Sequence, residues 1–144
     1  MKEDYELDIG FSYDGDPTLT DEELGVQERG RKLIGLDIET IPGSLSLEQI
    51  KGSADYLPLR DRSVSSIFAG GVYGEYVDLE DSVKEADRVL KSGGRLFIRT
   101  WGKYIPRLKL LLRDKYWITE LERGEYEEHY SDDEFYVKAT KKGR

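Results

Sequence analysis

Apolar residues recur along this chain in short runs that alternate with longer amphipathic stretches. Short runs at residues 5–9, 33–36, 64–69 and 95–100 predict four β-strands, and residues 49–53 are a fifth candidate strand. Several end at Gly or Asp, as buried parallel strands do where they meet a loop. The pattern therefore predicts a sheet whose strands are separated by helices or loops.

Residues 78–91 carry the clearest helical pattern. Asp78 can cap its amino end, and Leu79, Val83, Ala86 and Leu90 fall on one face. We expect Gly93 and Gly94, which follow shortly after, to end this helix. A second helix is predicted at residues 103–115, and a short one at 20–29 with a capping box of Thr and Glu at its start.

The last two predicted strands, residues 116–122 and 134–140, have no helix between them. We therefore expect them to pair antiparallel as a hairpin at the sheet's edge. Together these elements predict an α/β fold with an open, mostly parallel, doubly wound sheet flanked by helices and a C-terminal antiparallel β-hairpin. At 144 residues the chain fits one domain, residues 1–144.

The composition excludes or disfavours several classes of function. The net charge of −8 disfavours general nucleic-acid binding, because phosphate backbones repel it. The chain has no cysteine, which excludes disulfides, zinc–thiolate sites and cysteine nucleophiles, and we expect a cytoplasmic protein with no membrane span. The high charge with one methionine also fits a thermophilic source. The helix at 103–113 is basic, which favours a solvated face, with an anionic substrate such as RNA as the alternative.

The segment Glu85–Ile98 reads Glu-Ala-Asp-Arg-Val-Leu-Lys-Ser-Gly-Gly-Arg-Leu-Phe-Ile. It resembles the segment of class I S-adenosylmethionine-dependent methyltransferases in which an acidic residue precedes Arg-Val-Leu-Lys-Pro-Gly-Gly and a strand. Ser92 stands where that family usually has proline. The resemblance implies the fold predicted above, S-adenosylmethionine as the cofactor, and methyl transfer to an acceptor, a small molecule rather than a nucleic acid.

The resemblance also implies a cofactor site. Asp37 ends the second strand, where the family's acid accepts hydrogen bonds from both ribose hydroxyls, a task that suits a carboxylate. Gly52–Leu59 resembles Gly-Asp-Ala-x-x-Leu-Pro-Phe, whose Asp holds the adenine amino group; here Ser53 occupies that place and Asp55 follows, so either could serve. Three neighbours complete this lining: Ile38, Ala54 and Ala69.

The family's first strand ends in Asp-x-Gly-x-Gly-x-Gly, whose glycines let the backbone approach the methionine end of the cofactor. Asp8 and Gly10 match this motif, whereas Ser12 and Asp14 replace the later glycines and Gly15 follows at once. These residues, Asp14 apart, are predicted to contact the cofactor.

The loop after the fourth strand, where the family's catalytic residues commonly lie, offers Tyr73, Glu75 and Tyr76 as substrate contacts. No catalytic residue and no metal ligand is identified. The chain begins almost at its first strand, without the helical cap of most relatives, so we expect a second copy or a partner subunit to supply it. A degenerate, non-catalytic domain that serves as a binding or scaffold subunit is the alternative.

Overall fold

The structure is a computed structural model that describes residues 5–9, 32–37, 48–70, 73–74, 77–123 and 134–143. Side chains are described at these positions except 8, 32–37, 48–50, 122–123 and 134. The predicted helix at 20–29 lies outside the described residues. None of the helices in the described part is both long and apolar enough to cross a membrane.

In the described part of the chain, seven strands form one sheet, and all seven predicted strands are present. They are β1 (Tyr5–Ile9), β2 (Lys32–Asp37), β3 (Glu48–Lys51), β4 (Val64–Gly70), β5 (Leu90–Trp101), β6 (Tyr116–Arg123) and β7 (Glu134–Lys141). Their order is β3-β2-β1-β4-β5-β7-β6. The first five strands are parallel, whereas β7 runs antiparallel to both β5 and β6. The predicted mostly parallel sheet and terminal hairpin are confirmed, with β6 as the edge strand.

The described core lies on one face of this sheet. Rows of apolar residues cross it in register: Leu7 of β1 is level with Ile67 of β4, which is level with Leu96 of β5. The helices α1 (Leu79–Val89) and α2 (Ile105–Leu112) bury their apolar sides in the same cluster. Because side chains alternate along a strand, residues such as Glu6 and Ser66 point to the opposite face.

Helix α1 begins as predicted and ends earlier. The Asp78 carboxylate accepts a hydrogen bond of 2.9 Å from the Asp81 N–H, which is the expected N-cap. The prediction that the helix reaches residue 91 is wrong, because Leu90 already has extended backbone and opens β5. The glycine turn follows three residues after Leu90, with Gly93 at φ +78°, inside a shift of register between β4 and β5.

Helix α2 is also shorter than its predicted range of 103–115. A single 3-10 turn, Gly102–Tyr104, leads from β5 into it, and Pro106 sits in its first turn. Proline suits this place because the first amides of a helix have no acceptor within it. The helix then ends at Leu112, three residues before β6 begins.

Candidate cofactor site

Strands β1 and β4 are neighbours, and the chain leaves them in opposite directions across the sheet. From β1 it proceeds to β2 and β3, and from β4 to β5. Such a reversal is where open α/β sheets bind ligands, in the crevice beyond the carboxyl ends of the strands. The strands that flank this crevice end at Ile9 and Gly70. The carboxyl edge beside this crevice is where the sequence predicts the cofactor site, and that assignment stays a prediction.

Two of the three aspartates predicted to serve the cofactor, Asp8 and Asp37, belong to this edge by their backbone positions. Asp37 is the final residue of β2 and is level with Lys51, the final residue of β3. Asp8 is the penultimate residue of β1, level with Phe68 of β4. The structure does not describe their side chains. Six further predicted site residues lie outside the described residues: Gly10, Ser12, Gly15, Ile38, Glu75 and Tyr76.

A tight turn follows β3 at the same edge. The Tyr56 N–H donates to the Ser53 carbonyl over 3.1 Å, and the Ser53 hydroxyl donates to the Asp55 carboxylate over 2.5 Å. Ala54 is buried, whereas Asp55 is exposed. The turn thus rests on the core through Ala54 and brings together the two side chains that the sequence proposed for the adenine amino group.

Two other predicted contacts are buried. Ala69 is fully buried one residue before the end of β4, level with Ile9 and Ile98 in the core row. Tyr73 is also fully buried, and its hydroxyl has no hydrogen-bond partner in the described part of the chain. Burial raises the pKa of the Tyr73 hydroxyl. A substrate role for Tyr73 stays a prediction, and its burial places it among core side chains.

Sequence reasoning treated Glu85 and Arg88 only as part of a family signature. In the structure they bind the loop between β3 and β4. The Arg88 guanidinium donates to the Leu59 carbonyl (2.8 Å), the Leu57 carbonyl (2.9 Å) and the Asp61 carboxylate (2.8 Å). It also donates to both oxygens of Glu85, over 2.6 and 3.1 Å. An arginine three residues after a glutamate on a helix was the available signal.

The hydrogen bonds between Glu85 and Arg88 stabilise the charged forms of both side chains. The bond from Arg88 lowers the pKa of the Glu85 carboxyl below its usual value, despite partial burial. Glu85 and Asp61 in turn raise the pKa of Arg88. Both groups therefore stay charged at neutral pH.

The arginines in and directly after α2 make fewer contacts than Arg88 does. Arg107 forms an ion pair of 2.9 Å with Glu80 of α1, and Arg113 lies 3.5 Å from the neighbouring Asp114. More than half of each arginine side chain is exposed. This arrangement supports the solvated face favoured by the sequence over an anion-binding surface.

The residues at this edge suit the polar groups of S-adenosylmethionine. Its ribose hydroxyls and adenine amino group are donors and need acceptors. Aspartates that could supply such acceptors end β2 and lie in the turn after β3, and their contact with the cofactor stays a prediction. In the described residues, no three His, Cys, Asp or Glu side chains gather in a way that could hold a metal ion.

A family model described as "Methyltransferase domain" matches residues 19–98, more than half of the chain. The chain belongs to the class I S-adenosylmethionine-dependent methyltransferase family. The sequence resemblance is thereby confirmed, and S-adenosylmethionine is the cofactor of this family. The matched range contains β2 to β4, α1 and most of β5, and so includes both Asp37 and the turn after β3.

Curated relatives match part of this chain. A malonyl-[acyl-carrier protein] O-methyltransferase of Methylococcus capsulatus is 37% identical over 62 residues, covering 43% of this chain and 22% of the relative. An enzyme of the same name in Coxiella burnetii is 36% identical over 80 residues, covering 54% of this chain and 28% of the relative. The chain thus spans about a quarter of the length of these relatives.

Solved structures share the fold over almost the whole chain. A SAM-dependent methyltransferase of Methanosarcina mazei superposes with a TM-score of 0.71 at 20% identity, covering 99% of this chain and 94% of its own. A putative methyltransferase of Haloferax volcanii, solved in complex with a methyltransferase activator, has a TM-score of 0.69 at 14% identity. The match covers 99% of this chain and 84% of that one. At these identities the likeness shows the fold.

Proposed function

We propose that this chain transfers the methyl group of S-adenosylmethionine to a small acceptor molecule. The observation that supports the proposal is that β2 ends at Asp37 and lies next to β1, where the chain leaves β1 and β4 in opposite directions. Membership of the methyltransferase family supplies the reaction class. When bound, the cofactor supplies an electrophilic methyl group on a sulfonium, so the protein's task is to bind, orient and exclude water.

The described and predicted residues divide this task among them. Asp37 is proposed to accept from the ribose hydroxyls, and the turn with Ser53 and Asp55 to accept from the adenine amino group. The methionine end is assigned to the segment after β1, and the remaining neighbours line the cofactor: Asp8, Gly10, Ser12, Gly15, Ile38, Ala54 and Ala69. No general base is assigned, because a strong nucleophile attacks a sulfonium methyl without one.

The acceptor is proposed to be a small or carrier-linked molecule. The malonyl-[acyl-carrier protein] O-methyltransferases that match part of the chain make a carboxylate oxygen the first acceptor class to test. The net charge of −8 disfavours nucleic acid. Glu75 and Tyr76, after β4, are the proposed acceptor contacts. A second copy or a partner subunit is proposed to cover the site, and the Haloferax complex is a precedent for a partnered arrangement.

Calorimetric titration with S-adenosylhomocysteine tests the cofactor site. We expect saturable binding by the unmutated protein and a weakening of at least about tenfold in Asp37→Ala, the loss of about 1.4 kcal/mol that one charge-assisted hydrogen bond provides. Asp114→Ala is the matched control, because this exposed aspartate follows α2 at the opposite edge of the sheet. No binding by the unmutated protein would favour the non-catalytic alternative. Tight binding by Asp37→Ala would reject the assigned role of that residue.

A further inference from the structure

Glu85 and Arg88 of α1 form a clamp on the loop that follows β3, and we call this pair the α1 clamp. Both residues of the clamp form hydrogen bonds with the backbone of Leu57. The Leu57 N–H donates to Glu85 over 2.9 Å, and its carbonyl accepts from Arg88 over 2.9 Å. Both polar groups of one residue are thus tied to one helix.

Leu57 directly follows the turn Ser53–Tyr56, so fixing it fixes one end of that turn. The side chains of Ala54 and Leu57 are both buried, which anchors the turn to the core at two points. Downstream, the loop is tied to the end of α1: the Arg62 and Ser63 amides donate to the carbonyls of Arg88 and Val89. The turn itself remains the polar, outward-facing part of the loop.

We infer that Glu85 and Arg88 are positioning residues that hold the turn Ser53–Tyr56 in the conformation that reads the adenine ring of the cofactor. The inference rests on the proposed function, because it assumes that this turn contacts adenine. Neither clamp residue belongs to the edge of the sheet where the cofactor binds. They act through the Leu57 backbone, which joins the clamp to the turn.

The geometry explains why this place needs arginine. Arg88 satisfies two backbone carbonyls and two carboxylates at once, which uses the planar fork of five donors. A lysine has three donors on one nitrogen and cannot span the distance between the Leu57 and Leu59 carbonyls and Glu85 together. Arg88→Lys should therefore keep the charge and the fold while loosening the loop.

The test separates adenine recognition from general stability. We propose to measure by calorimetry the affinities of the unmutated protein, Arg88→Lys and Glu85→Gln for S-adenosylhomocysteine and for S-inosylhomocysteine. The second ligand carries a carbonyl oxygen where adenine carries its amino group, so an acceptor in the turn should reject it. Arg107→Lys is the matched control, because Arg107 also pairs with a glutamate of α1, Glu80, but in the described part of the chain it binds no residue of the loop after β3.

We expect the unmutated protein to prefer S-adenosylhomocysteine, and the preference to fall by at least about fivefold in both clamp variants, the equivalent of one weakened hydrogen bond. Arg107→Lys should keep the full preference. A loss of stability alone would lower both affinities equally and leave the preference unchanged, and that result would overturn the inference. If Arg88→Lys does not fold, Glu85→Gln decides by the same criterion. Failure of the unmutated protein to bind either ligand would overturn the proposed function itself.

Discussion

Lys141, the last residue of β7, allows a direct test of how burial determines the contribution of a lysine to the stability of this fold. Its ammonium group donates to the Asp87 carbonyl over 2.6 Å and to the Leu90 carbonyl over 2.8 Å. It also lies 3.5 Å from the Asp87 carboxylate. Lys141 therefore supplies the donors and the positive charge that the carbonyl end of α1 needs. We consider the replacement Lys141→Met, which keeps an unbranched apolar side chain of nearly the same length and removes the ammonium group and its charge.

The cost of this replacement follows from burial. The Lys141 side chain is 14% exposed and that of Asp87 is 18% exposed, so water replaces the lost donor poorly. Two carbonyls lose a charged donor, while the Asp87 carboxylate keeps Lys115 and the Tyr116 hydroxyl. At about 1–3 kcal/mol for each buried acceptor left unpaired, less what relaxation recovers, we expect a loss of about 2–4 kcal/mol.

Lys138→Met on the same strand is the control. Lys138 forms an ion pair of 3.1 Å with Glu120, but its side chain is 52% exposed. Exposed pairs contribute about 0–1 kcal/mol, so this variant should differ little from the unmutated protein. Urea unfolding monitored by tryptophan fluorescence measures both free energies of unfolding. A difference between the two variants below about 0.5 kcal/mol would refute the argument that burial decides the cost.

Three further predictions concern the turn after α1, a buried hydroxyl and the effect of pH. Gly94→Ala should destabilise the protein by about 1–3 kcal/mol, because a Cβ would lie 2.7 Å from the Lys91 carbonyl oxygen. Gly93→Ala should cost about 1 kcal/mol, because its positive φ is the only source of strain there. Equal losses of unfolding free energy in chemical denaturation would contradict the steric argument. Tyr73→Phe should leave stability unchanged or raise it by up to about 1 kcal/mol, because the buried hydroxyl has no partner in the described residues. A large loss of methyl-transfer rate without a loss of stability would instead support Tyr73 as a substrate contact. The pKa of Glu85 is lower in the folded than in the unfolded state, so the ionised carboxylate stabilises the fold above the ordinary pKa of 4.5. This stabilisation is lost as the pH falls from there through the lower pKa of the folded state. Thermal unfolding from pH 3 to 7 should therefore show a smaller loss of stability on the acid side in Glu85→Gln than in the unmutated protein.

Local sequence patterns were sufficient for the order of elements. Several strands contained a short apolar run, such as residues 33–36 of β2, and Asp78 marked the start of α1 because its side chain satisfies a free amide within four residues. The end of α1 was less visible. The glycine pair suggested a later end, but Leu90 packs into the core and pairs with Val64 of β4, so a tertiary contact ends the helix first.

In the candidate site too, some residues could be predicted from the sequence and others only became apparent in the tertiary structure. A family motif in the sequence identified Asp37 and the turn with Ser53 and Asp55, and parallel pairing of the strands accounts for their common edge. The sequence by itself determined the alternation of strands and helices and the residue types at the strand ends, because both depend on neighbours within a few positions. Only the tertiary structure decided that Tyr73 is buried and that Arg88 reaches the carbonyls of Leu57 and Leu59, about thirty positions away. Such contacts depend on where the chain returns in space, which no local pattern records.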